Sequence, residues 1–279
     1  MADAFVAAGV PTTTIEGRPA ISPAGEIFRD IARGGIAGII VGLLVAGLGG
    51  RLVMRLATIL HEDTVGRLTE NGEVIGSITL NGTLALMVFG GLGMGLLAGT
   101  IWVIVGPWIP GQGLSRALVT AIAAIALGTP ALVQRTNPDF VILGRDPLVI
   151  VLLVGLVGLV GLSIALVDRA LDARLPRPRP GIGISTTAYL VVTLMGLILI
   201  FPVALAILLD QSEYRAPIRA GWALAVVGAC TLTWWVLRVR GRAAPPRALR
   251  MVGMVSLAVA SVLGVVTSLP HILSAAGVR

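Results

Sequence analysis

From Pro147 to Val167 the chain carries no charged side chain, and the run is rich in Leu, Val and Gly. One helix crosses the hydrocarbon core of a bilayer with about 20 mostly apolar residues. In lipid, every backbone N–H and C=O must find its partner inside the protein, so such a run is constrained to be helical. Seven segments of this kind follow one another, at roughly 31–56, 83–106, 115–134, 147–168, 186–209, 217–238 and 250–273. The composition agrees: of 279 residues, 56% are hydrophobic and 13% are charged, roughly half the charge of an ordinary soluble domain. There is too little polar side chain to cover a water-facing globule. The expected fold class is therefore an all-α membrane protein, a bundle of about seven transmembrane helices forming one multi-pass domain over 23–279. A soluble enzyme, a disordered chain and a disulfide scaffold are excluded. The single cysteine, Cys230, has no internal partner and reads as a small apolar filler.

The segment 115–134 is the least regular. It begins at Ser115-Arg116 and is interrupted by Gly128-Thr129-Pro130, so it either crosses or is re-entrant, the latter only where protein or water covers it. Residues 1–22 lack the basic start and long apolar stretch of a signal peptide and are expected to form a mobile tail. Ser22-Pro23 reads as a helix start, and Glu26, Arg29, Asp30 and Arg33 as an interfacial turn or two leading into the first span.

All 21 basic residues are arginine, and the formal net charge is +7. No lysine means no Schiff-base chemistry. High Ala, Gly, Val and Arg without Lys points to a GC-rich bacterial source, hence a bacterial inner membrane. The arginines sit in short connectors rather than in a nucleic-acid-binding patch. One connector holds Arg169, Arg174, Arg177 and Arg179; another holds Arg238, Arg240, Arg242, Arg247 and Arg250. The inside-positive bias assigns both to the cytoplasm. Counting spans then puts the N-terminus inside and the C-terminus outside. Trp102, Trp108, Trp222, Trp234 and Trp235 fall near span ends, as members of an interfacial aromatic belt would.

Small residues recur every four positions in the first span, at Gly34, Gly38, Gly42, Ala46 and Gly50, and again in the second at Gly91, Gly95 and Gly99. Positions four apart share a helix face. Missing side chains let two backbones approach and gain dispersion contacts, which is what drives helix association in lipid. These spans are expected to pack together as a glycine zipper. The segment between them, from His61 to Thr79, contains Asn71-Gly72 next to extended-type residues and predicts a short extracytoplasmic β-hairpin or a plain loop.

No metal-site, nucleophile-elbow, phosphate-loop or redox motif occurs, and no acid lies in the middle of a span. No cofactor is expected, and His61 and His271 read as unrelated interfacial residues. Arg51 and Arg55 stand out, because four-residue spacing places them on one face and Arg51 starts inside the apolar region. They form either an ion-pair site with Glu62, Asp63, Glu70 or Glu73, or an anion-attracting pair. Pro202 interrupts the fifth span as a possible hinge. The leading expectation is a non-enzymatic structural or accessory protein, partnered by the lipid bilayer and by another membrane subunit or itself. A small-solute or anion transporter or channel is the alternative, and a lipid-modifying enzyme comes last.

Overall fold

The computed structural model describes residues 23–60, 66, 80–132, 147–178, 183–209 and 218–275. The tail 1–22 and the hairpin expected around Asn71-Gly72 lie outside the described residues. Those that are described form seven helical rods and no strand. Helix α1 is Pro23–Leu60 with a π-helical segment at Gly42–Gly47. Helix α2 joins Leu80–Ala85, a π-helical segment Leu86–Leu92, Gly93–Val105 and a closing 3-10 turn Gly106–Trp108. The others are α3 (Gly113–Leu132), α4 (Pro147–Arg174), α5 (Ile184–Leu209), α6 (Ile218–Val239) and α7 (Arg247–Ala275).

Six of them, all but α5, are long and apolar enough to cross a membrane; the described apolar stretch of α5, Ile184–Leu199, is shorter. At 1.5 Å per residue, the 38 residues of α1 extend about 57 Å. That exceeds a hydrocarbon core of about 30 Å, so the surplus carries the charged turns at either end. Helix α3 runs through Gly128-Thr129-Pro130 without a break. Pro130 cannot donate to the carbonyl of Ala126 four residues back. That oxygen faces Gly264 of α7, where an added Cβ would strike it.

The bundle assembles by pairs. Helix α3 packs along α4, α6 along α7, and α1 along α2, while α7 also lies on α3 and α1 touches α4 and α5. In the α1–α2 seam, a Cβ added to Gly38 would fall on the carbonyl oxygen of Gly95 and 2.7 Å from the Cα of Gly99. One added to Gly42 would meet the Gly91 carbonyl, and one at Gly34 would strike Val103. Conversely, Gly99 faces the Gly34 carbonyl, and Gly91 the Gly42 carbonyl. The smooth face does not continue at four-residue spacing past Gly42. The π turn adds a residue, so Gly47 is buried against Met87 while Ala46 is only half-buried. Gly50 is displaced from the seam, and a Cβ there would meet only Leu86, at 4.0 Å.

The tryptophans divide. Trp222 is exposed, and Trp234 and Trp235 are half-buried. Trp102 and Trp108 are not belt residues: both are buried in the core. The Trp108 indole N–H donates to Thr231 Oγ1 at 2.8 Å, so its polar edge is satisfied within the protein. Its ring covers Gly253, where any side chain would collide with it. Cys230 packs in the same cluster with Val105, Ile109 and Leu257.

Candidate functional site

The charges near the start of α1 are more than an interfacial turn. Glu26, Arg29, Asp30 and Arg33 fall at i, i+3, i+4 and i+7, one stripe of a helix. Helix α4 does not stop at Asp168 but continues to Arg174, which places Asp168 and Asp172 on consecutive turns of one face. The two stripes meet. Arg33 Nε donates to Asp168 Oδ1 at 2.6 Å, and Arg33 Nη1 also donates to Asp172 Oδ1. Arg29 Nη1 donates to Asp172 Oδ1 at 2.7 Å, and its Nη2 reaches the carbonyl oxygens of Asp172 and Leu175 at 2.7 and 3.1 Å.

The other side of the α1 stripe engages α6. Arg238 donates through Nη1 to Asp30 Oδ2 and through Nη2 to Glu26 Oε2, both at 2.7 Å. Asp30 also faces Arg33, at 3.5 Å. Three helices are thus joined by charge-assisted hydrogen bonds, which are shorter and stronger than neutral ones. Arg29 and Asp168 are almost fully buried, at 3% and 4% exposure; burial of that kind is tolerated only for paired charges. Tyr189 of α5 donates to the Pro176 carbonyl at 2.7 Å, fixing the connector after α4. Both arginine-rich connectors therefore leave the bundle at the same end.

Beside this network lies a cavity of about 220 Å³, walled by Asp30, Arg33, Asp168 and Arg238 on the charged side and by Trp102, Trp234, Trp235 and the Gly106-Pro107 turn elsewhere. Arg116, on the first turns of α3, completes it. Its Nη2 donates to the Gly106 carbonyl at 2.7 Å, and its guanidinium carbon lies 5.1 Å from the centroid of the Trp102 ring, a cation–π contact. No group of three or more metal-ligating side chains occurs among the described residues.

The residues singled out in the sequence lie elsewhere. Arg51 is half-buried and Arg55 exposed. Arg51 lies 18 residues beyond Arg33, about 27 Å along α1, toward the opposite end. Glu62, Asp63, Glu70 and Glu73, their proposed acidic partners, are outside the described residues, as are His61 and the side chain of His271. Pro202 falls within α5, and its side chain is likewise outside them. The signal for the missed site was present, as a stripe of alternating charge at 26–33 and an acid pair at 168 and 172. What was lacking was any local sign that α1 neighbours both α4 and α6. No family model, curated protein or solved structure matches this chain.

Proposed function

We propose that the chain is a seven-span protein of a bacterial inner membrane, with its N-terminus and both arginine-rich connectors in the cytoplasm and its C-terminus outside. Its role in this reading is structural or accessory: it packs with another membrane subunit or with itself, and it is not an enzyme. The observation that supports this is the engagement of Glu26, Asp30, Asp168 and Asp172 by Arg29, Arg33 and Arg238. A proton- or cation-coupled carrier needs a carboxylate that loads and releases its charge; here these acids tie helices together. The glycine seam between α1 and α2 adds a rigid pair of the kind used for helix association in membranes.

Purification from native membranes in a gentle detergent tests this reading. The expected product is a stable complex at fixed stoichiometry, with a second subunit or a second copy. A protein that runs only as a lipid-bound monomer would count against it. A second reading, a small-solute or anion transporter or channel, draws on half-buried Arg51 beside Arg55 in α1. Reconstituted liposomes separate the two. The accessory reading expects anion flux at the level of empty vesicles, whereas flux that disappears in the Arg51→Ala, Arg55→Ala variant would establish the transporter.

A further inference from the structure

The acids among the described residues are Glu26, Asp30, Asp168 and Asp172, and each is engaged within the ion network. Arg29, Arg33, Arg116 and Arg238 balance them one for one in charge. The exposed arginines at the same end have no described acid left to them. Arg169, Arg174 and Arg177 stand on and after the last turns of α4; Arg240, Arg242, Arg247 and Arg250 stand on the hairpin of α6 and α7. None of these seven forms an ion pair among the described residues.

The α6–α7 hairpin holds its four arginines in a defined frame. Gly241, at φ +86°, closes α6: its N–H donates to the Arg238 carbonyl and the Arg242 N–H to that of Leu237, both at 3.0 Å. Pro245-Pro246 lead into α7, and Arg247 and Arg250 fall in its first turn, which contains no acid. The helix dipole makes that the unfavourable end for cations. Past them the same face turns apolar. Met251, Met254, Val255, Ala258 and Val262 recur at helical spacing and all are exposed, while Gly253, Leu257, Ala260 and Gly264 are buried on the opposite face. From Met251 to Val262 the helix rises about 16 Å, the depth of one leaflet of a hydrocarbon core about 30 Å thick. Arg247 and Arg250 then stand at headgroup level.

We infer that this face of α7 binds an anionic phospholipid, its phosphate held by Arg247 and Arg250 and its acyl chains laid along Met251, Met254, Val255 and Val262. The guanidinium fork matches two phosphate oxygens at once, and Arg240 and Arg242 add to the attraction at the surface. A soluble anion would use the arginines alone; the apolar continuation of the face is what selects a lipid. The inference rests on the membrane-spanning reading above, not on the orientation or the accessory role.

Native mass spectrometry of the purified full-length protein in neutral detergent tests it, with phosphatidylglycerol and phosphatidylcholine of identical acyl chains offered together. Phosphatidylglycerol is expected to be retained in preference, and Arg247→Gln, Arg250→Gln to lower that preference about tenfold or more with phosphatidylcholine retention unchanged. The same change at Arg174 and Arg177, outside this face, leaves the preference in place. If the α7 variant does not fold, the wild-type protein carries the comparison: its gain in melting temperature with phosphatidylglycerol over phosphatidylcholine is expected to vanish at about 1 M salt, where the screening length is about 3 Å. Equal retention of the two lipids, a preference undiminished in the folded α7 variant, or an equal loss in the α4 variant overturns the proposal. So does displacement of phosphatidylglycerol by glycerol phosphate or by an acidic peptide at equal concentration. Retention of neither lipid would count against the membrane-spanning reading as well, whereas equal retention of both leaves that reading standing.

Discussion

Arg33→Met is expected to be the most destabilising substitution in the ion network, by roughly 3–5 kcal/mol, the range for removing one partner of a buried pair. The reason lies in what remains. Asp168 is buried, and Arg33 Nε is its ion-pair partner at 2.6 Å. Without Arg33, a carboxylate is left at the helix interface with no direct cation. Asp168→Leu is milder, because Arg33 keeps Asp172 and Asp30; the loss is that of a charged hydrogen bond, about 1.5–3 kcal/mol. The double variant Arg33→Met, Asp168→Leu recovers part of the damage, since Asp172 retains Arg29 and both Asp30 and Glu26 retain Arg238. Unfolding midpoints of the four proteins in mixed micelles form a double-mutant cycle that checks this order. A double variant whose loss equals the sum of the two singles would show that Arg33 and Asp168 are not coupled.

Gly38→Ala is expected to cost about 3 kcal/mol or more, although it adds one methyl group. Overpacking usually costs 1–3 kcal/mol because side chains shift to relieve it. At Gly38 the obstructing atoms are the Gly95 carbonyl oxygen and the Gly99 backbone. Backbone cannot rotate away, so α1 and α2 must part along the seam. Gly35→Ala, three residues earlier on the same helix, meets nothing within 4 Å and is expected to be neutral or slightly stabilising through helix propensity. Folded yield and melting temperature in detergent distinguish the pair. Equal behaviour of the two variants would mean that the seam does not carry the contact energy assigned to it.

Legible in the sequence are the helical rods, because a long apolar run leaves its backbone no other way to satisfy its hydrogen bonds. Less legible is where each face points. The spacing of Gly34, Gly38 and Gly42 marks a smooth stripe, but the π turn at 42–47 moves that stripe to Gly47, and nothing in the residue pattern signals the extra residue. Trp102 and Trp108 sit at span ends, as belt residues do; only residues on other helices explain why the rings turn inward, Thr231 and Gly253 for Trp108 and the Arg116 guanidinium for Trp102. Asp168 reads as the first residue of a connector because the apolar run stops there. In the fold, the helix continues for another turn and a half and carries the charge into the interface. The candidate site is built from pairs such as Arg33 with Asp168 and Arg238 with Asp30, more than a hundred residues apart, and local patterning does not encode such pairing.

The account turns on one arrangement: the connectors after α4 and α6 leave the bundle at one end, beside the charged start of α1, and that end is proposed to face the cytoplasm. Single cysteines at exposed positions 177 and 242, introduced as Arg177→Cys and Arg242→Cys in a Cys230→Ala background, report it through a membrane-impermeant maleimide. Both are expected to be protected in intact cells and labelled in inverted vesicles. Labelling of one in cells and of the other only in inverted vesicles would contradict the fold as well as the orientation. Labelling of both in intact cells would reverse the proposed orientation.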